Sequence, residues 1–307
     1  MKLKVQVLVF LLVAAVLVLS SCGLIAALFS EEEDVGKPNV LQGMQFERIT
    51  NARNANEVFP RLIDNDNLIY TSADRTGHTK VEKMNLKNLS ITTVRDNAAG
   101  ASPIPGEDKY VFTLRRNDGV YLCEGSFSSQ AYSYLLMTGF STETTMQPSV
   151  SPDSSKVAFH FGSSGVMAQI GVMERGNPFY SVICEGTSPT WSKDGKYIYA
   201  DRELQNGNYE IIRIDTTTGI VSTILSKSEK NYAFPQISPD GLWISVEYNW
   251  DSIAICDLMG DKFTVVIEGL RSIWSSHWGT DGFIYFASGE PHTDDRDIYR
   301  IKPILPY

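Results

Sequence analysis

Catalysis or metal binding needs nucleophiles, imidazoles or carboxylates at spacings that bring them together, and in this 307-residue chain such residues are few or regularly dispersed. The four histidines, His78, His160, His277 and His292, show neither H-x-H nor H-x-x-x-H spacing, so no pair is set on one element as metal ligands. Gly162-Ser163-Ser164-Gly165 is one residue short of the G-x-S-x-G elbow that would present a serine nucleophile, and reads as a flexible loop. Asp153, Asp194, Asp240 and Asp281 recur in Ser-x-Asp-Gly-like turns, 41, 46 and 41 residues apart. A ring of catalytic carboxylates is one reading of that column. The expected reading is structural, with each Asp accepting turn amides and the glycine taking a positive φ. Glu290, His292, Asp294, Asp295 and Asp297 are able to offer oxygens to Ca²⁺, but without the D-x-D-x-D-G loop of a calcium site. Cys123, Cys184 and Cys256 fall in separate segments and are expected to be buried free thiols. No catalytic residue, metal site or cofactor is expected.

The remaining candidates are recognition residues in the longer loops: Arg75, His78, Arg115, Arg116, Arg202, Tyr248, Trp250, Glu290 and His292. Arg, Trp and Tyr are the side chains most enriched at binding hot spots, and several Arg brought to one face would set a local positive potential against the overall sign. That overall sign is negative. With 27 Lys+Arg against 36 Asp+Glu, the net charge of −9 argues against nucleic acid as a partner. A composition of 43% hydrophobic and 21% charged residues excludes a disordered chain.

The first residues, MKLKVQVLVFLLVAAVLVLSSC, place Lys2 and Lys4 before an apolar run from Val7 to Leu19, the pattern of an export signal. The run is shorter than the ~20 residues a membrane span needs. Leu19-Ser20-Ser21-Cys22 resembles the lipobox of bacterial lipoproteins, which implies cleavage before Cys22 and lipidation of its thiol. Several acyl chains on one residue anchor a protein stably. The expected location is therefore a bacterial membrane surface facing the periplasm or the exterior. The acidic stretch Glu31–Asp34 and Pro38 then read as a solvated tether.

The elements that must position these residues follow from an internal repeat. A residue column five positions before each turn Asp, Pro148, Pro189, Pro235 and Ser276, extends back to Pro60 and Pro103, with spacings of 43, 45, 41, 46 and 41. Each unit carries a short apolar stretch, a turn, a dense β-forming run such as Tyr197-Ile198-Tyr199, and two further strands such as Ile211–Ile214 and Val221–Ile224. Four antiparallel strands in about 43 residues make one propeller blade, and six units predict an all-β, six-bladed β-propeller. The last unit lacks a fourth strand, because Pro303 and Pro306 interrupt it, whereas Phe46–Thr50 is a spare strand ahead of the first unit. Pairing Phe46–Thr50 with Ile298–Ile301 would close the ring.

The units resemble the TolB-type, WD40-like repeats, with their signature P-x-(W/I)-S-P-D-G. Pro189-Thr190-Trp191-Ser192-Lys193-Asp194-Gly195 and Pro235-Gln236-Ile237-Ser238-Pro239-Asp240-Gly241 match closely; the third unit has Ser154 for the Gly, and the first two are degenerate. TolB proteins carry an α/β domain before the propeller, for which this sequence leaves no room, so a Tol-system role is an analogy. The implied organisation is a signal peptide over 1–21, lipidated Cys22 and a tether over 22–44, and a propeller over 45–307. The expected function is a lipid-anchored, non-enzymatic scaffold that binds an envelope protein or glycan through its loop face. The alternative is a propeller lyase or hydrolase acting on extracellular or envelope polysaccharide. Two or more His converging with carboxylates would favour the enzyme; Arg, aromatic and backbone groups would favour the binder.

Overall fold

The computed structural model describes residues 38–52, 54–140, 147–162, 167–289 and 295–305, and these fall in two-residue to ten-residue strands with no helix among them. Cys22, Glu290, His292, Asp294 and the Ser163–Gly165 stretch lie outside the described residues. Three sheets have four antiparallel strands each, running Ala98–Pro103 to Tyr132–Phe140, Ser149–Val150 to Tyr180–Glu185, and Thr187–Trp191 to Val221–Leu225. A fourth runs from Tyr232–Ile237 to Thr264–Glu268 and gains Asn39–Val40 at its outer edge. The eight-stranded sheet is two antiparallel halves joined by one parallel bridge, Arg296 to Asn56. Split at that bridge it yields Ala55–Asp64 to Ile91–Asp96 as the first sheet and Trp274–Trp278, Ile284–Gly289, Arg296–Lys302 and Gln45–Arg48 as the sixth. The sequence expectation of all-β structure in four-stranded units therefore holds.

Both faces of each sheet are covered, which is why the second and third strands read as apolar runs rather than alternating ones. One core cluster fills each space between consecutive sheets. Ile69 and Val81 meet Phe112 between the first and second sheets, and Leu122 meets Phe159 between the second and third. Ile170 meets Ile198 in the next space, Tyr199 meets Ile244 in the one after, and Ile253 meets Phe286 between the fifth and sixth. Leu68 and Tyr70 meet Tyr285 and Ile298 between the sixth sheet and the first.

The spare strand pairs where the sequence places it. Phe46 lies opposite Ile301 and Arg48 opposite Tyr299, and the Ile49 amide donates to the Ile298 carbonyl. Phe46 stacks on Tyr299 and Phe286, with ring centroids 5.7 and 6.4 Å apart. Asp297, fully buried, fastens this segment: Arg48 Nη2 donates to it at 2.5 Å and the Ala52 amide at 2.7 Å. Asp295 accepts from the Asn54 amide at 2.9 Å. Two carboxylates of the suspected calcium cluster thus hold the chain's own N-terminal segment. Asn39–Val40, in the span read as tether, already belongs to the fold, and Asn39 donates to Glu268 Oε1 at 2.7 Å.

Candidate functional site

The S-x-D-G column has the structural role its residue types suggest. Ser151, Ser192 and Ser238 each donate through Oγ to the Asp two residues on, at 2.5 to 2.7 Å, and accept the amide of Lys156, Tyr197 or Trp243 at 2.9 Å. Each Asp accepts the amide two residues later, at Ser155, Lys196, Leu242 or Phe283. Gly195, Gly241 and Gly282 sit at φ of 71°, 81° and 84°, and Ser154, in place of the third unit's Gly, at 62°. These hydrogen bonds hold the carboxyls of Asp153 and Asp194 below the usual range, Asp153 at about 2.

The first strand of each unit, or in the third unit the residues just before it, carries a second regular feature. One residue adopts a left-handed backbone: Phe59, Gly100, Gln147, Ser188, Phe234 and Ser275, at φ between 38° and 61°. In five of the six sheets this residue sits in a break of the strand register, as between Val58 and Arg61 or Ala233 and Gln236. The proline column of the sequence is the residue after it, which corrects one assignment: the second unit's member is Ala101, following Gly100, and not Pro103. Side chains of the preceding sheet, or of the sixth sheet for the first, cap these bulges. The amides of Phe59, Gly100, Phe234 and Ser276 donate to Ser275 Oγ, Thr71 Oγ1, Asp201 Oδ2 and Glu247 Oε1, at 2.8 to 2.9 Å. Burial raises the carboxyls of Asp201 and Glu247, Glu247 to about 8.

In each sheet the position two residues after the left-handed residue faces one space. Arg61, Ser102, Ser149, Thr190, Gln236 and His277, one from each of the six sheets, line a common cavity of about 650 Å³. Trp191, Trp278, Ile104 and Val150 add apolar wall, and Asp64, Gly106, Glu107, Asp108, Pro152 and Thr280 stand at the end where the first strands run into the S-x-D-G turns. Towards the other end of the first strands, Phe59 and Phe234 pack with Val58, Ala233 and Ala287. Both rings contact Trp274, with centroids at 5.4 and 6.5 Å. Phe59, Phe234 and Trp274 belong to the first, fifth and sixth sheets, so this aromatic cluster joins three sheets. Arg61 Nη1 donates to the carbonyls of Pro60 and Ser276 at 3.0 and 3.1 Å, and burial lowers its guanidinium to about 10. Burial, seconded by Arg61, holds His277 well below the ordinary imidazole value.

Of the loop residues singled out from sequence, Glu290 and His292 fall outside the described residues; Arg75, His78, Arg115, Arg116, Arg202, Tyr248 and Trp250 lie at the opposite end of the second strands and do not line this cavity. Each is held locally. Arg75 is 3.6 Å from Asp295, and His78 Nε2 is 3.0 Å from Asp96. Arg116 donates to the Tyr134 hydroxyl at 2.5 Å, and Arg202 pairs with Glu210 at 2.5 Å. Trp250 meets Tyr209 edge to face at 5.7 Å, Tyr248 packs on Tyr232 and Phe263, and Arg115 is exposed. Cys123 and Cys256 are buried and Cys184 half-buried, all as free thiols. His160 is buried with its Nδ1 unpartnered among the described residues, so it is packed but not fully hydrogen-bonded. Among the described residues, no three His, Cys, Asp or Glu side chains are placed to hold a metal ion.

Solved structures share this arrangement of sheets. The chain is similar to TolB from Acinetobacter baumannii, with a TM-score of 0.62 and 17% identity over 73% of this chain, and it spans only 57% of that protein's length. It is similar to a putative TolB from Agrobacterium tumefaciens, with a TM-score of 0.62 and 14% identity, over 88% of this chain and all of that one. The fold is a TolB-like β-propeller. Propellers of this shape also include a gluconolactonase from Xanthomonas campestris, with a TM-score of 0.65, 10% identity and coverage of 87% and 95%. No family model matches the sequence, and no curated protein matches it.

The axial positions were present in the sequence as the x of P-x-(W/I)-S-P-D-G. Their identity changes from unit to unit, whereas the flanking positions repeat, so the repeat does not mark them.

Proposed function

We propose that the chain is a lipid-anchored envelope protein whose six sheets are the blades of a closed propeller, and that it is a non-enzymatic binding module receiving an envelope protein or glycan in its axial cavity. The observation that carries this reading is the composition of the belt. Every sheet contributes one residue, and together they supply one guanidinium, three hydroxyls, an amide and one imidazole. These groups donate and accept hydrogen bonds without forming a nucleophile–base pair. The core cluster between the sixth and first sheets and the Phe46 strand support the closed ring. The Leu19–Cys22 lipobox supports the anchor.

The enzyme reading calls for imidazoles and carboxylates converging on one point. The belt holds one imidazole, and the rim acids have other partners: Glu107 pairs with Arg175 at 2.7 Å, Asp108 accepts from Ser126 and Ser128, and Asp64 accepts from the Asp66 amide and Asn67.

The test compares crosslinked partners of three folded variants in envelope fractions. Thr190→Trp, which fills the belt, is expected to abolish capture, whereas Arg116, Arg202 and Trp250 replaced together by Ala are expected to leave it. The reverse pattern would place the site on the loop face. Cys22→Ser is expected to release the protein from membranes or leave the precursor uncleaved; unchanged size and unchanged detergent partitioning would remove the anchor.

A further inference from the structure

We infer that the axial cavity is a carboxylate site, in which Arg61 receives the anionic group of the ligand and the belt of Ser102, Ser149, Thr190, Gln236 and His277 surrounds it. This rests on the reading of the cavity as the binding site and adds the chemical class of what enters it. Arg61 is the one charged member of the belt. Its Nη1 is used by two main-chain carbonyls, while Nη2 and Nε make no hydrogen bond and the group forms no ion pair among the described residues. A half-buried cation without a counter-ion is costly, and a carboxylate meeting the free edge of the guanidinium removes that cost through two parallel charge-assisted hydrogen bonds.

The acid closest in effect does not serve as that counter-ion. Glu247 makes no ion pair with Arg61 among the described residues: it is 1% exposed, its Oε1 accepts the Ser276 amide, and its Oε2 has no partner. Burial keeps it largely protonated at neutral pH.

The surroundings select a singly charged ligand. The mouth carries three acids, Asp64, Glu107 and Asp108, against one cation, Lys83, with Glu107 paired to Arg175; the acids outnumber the cation and repel a dianion more than a monoanion, in a chain whose net charge is −9. Beside the belt, Trp191, Trp278, Ile104 and Val150 offer apolar surface to the body of the ligand. A monocarboxylate is therefore favoured over a phosphate.

The two cavity tryptophans report binding to the full-length chain by intrinsic fluorescence. The probes are benzoate, its neutral isostere benzamide, and phenyl phosphate. Benzoate is expected to bind at least about tenfold more tightly than either of the others, a difference of about 1.4 kcal/mol, and Arg61→Gln to remove that preference. Phenyl phosphate binding more tightly than benzoate, or benzoate binding no better than benzamide, overturns the proposal. If Arg61→Gln does not fold, the wild-type protein still decides: phenylglyoxal is expected to modify Arg61 several-fold more slowly in saturating benzoate, and equal rates with and without benzoate overturn the assignment. Should Thr190→Trp block partner capture while Arg61 proves indifferent to carboxylates, the cavity remains the binding site and only its anion selectivity falls.

Discussion

Two buried titratable side chains tilt the pH dependence of stability in opposite directions. Glu247 has its folded-state pKa raised from 4.5 to about 8. Between those values the unfolded chain releases a proton that the folded chain keeps, so its contribution to stability falls as pH rises, by about 1.4 kcal/mol for each unit. His160 is lowered from 6.5 to about 4 by burial. Below 6.5 the unfolded chain gains a proton that the folded chain refuses, so its contribution falls as pH drops. Glu247→Gln is expected to flatten the neutral-to-alkaline side of a plot of melting temperature against pH, with little effect near pH 4. A parallel shift at every pH would mean that the carboxyl does not titrate in this window. The Gln carbonyl can still accept the Ser276 amide, which separates loss of ionisation from loss of the bulge cap.

At the scale of elements, the S-x-D-G turns and the N-terminal strand make separable predictions. Ser192 ties Asp194 to the start of the next strand by donating to one and accepting from the other. Ser192→Ala is expected to destabilise by about 1–2 kcal/mol, the range for a turn hydroxyl with two partners, whereas the exposed Lys193→Ala should stay within about 0.5. Chemical denaturation at constant m-value distinguishes them. Asp297 is buried and serves Arg48 and the Ala52 amide together, so Asp297→Ala is expected to cost about 3 kcal/mol. If Asp297→Ala and wild type share a denaturation midpoint, the carboxylate is not what fastens the segment.

For the whole molecule, the N-terminal strand Gln45–Arg48 takes its partner, Arg296–Lys302, from the far end of the chain. Removing residues up to 54 strips the sixth sheet of its outer strand and uncovers Phe286 and Tyr299, both stacked on Phe46. The expected loss is several kcal/mol, comparable to two core truncations, read as a clear drop in melting temperature. The same deletion separates the fold from the proposed cavity chemistry. Arg61 follows the deleted segment, so loss of benzoate binding in the truncated chain with secondary structure retained would mean that the belt needs the completed sixth sheet to hold its shape.

Local pattern carried most of the architecture. The turn motif, the β-forming runs and the spare strand are written within a few residues of each other, because strand periodicity and turn chemistry act over short range. From them follow the four-stranded units and the Phe46–Ile301 pairing. The sequence also identified the S-x-D-G aspartates as turn acceptors, since Ser, Asp and Gly at that spacing suit one backbone geometry. The cavity was not legible in it. Arg75, Arg116, Arg202 and Trp250 are conspicuous as loop residues, and the structure places each beside a partner in its own or an adjoining sheet, away from the cavity. Arg61, Ser102, Ser149, Thr190, Gln236 and His277 are inconspicuous one by one and lie more than 40 residues apart. A left-handed residue two positions before each of them turns them inward, and an aromatic cluster of Phe59, Phe234 and Trp274 occupies the other end. Which end carries the cavity is thus a tertiary decision, because convergence on an axis depends on the packing of all the sheets and on no single stretch of chain.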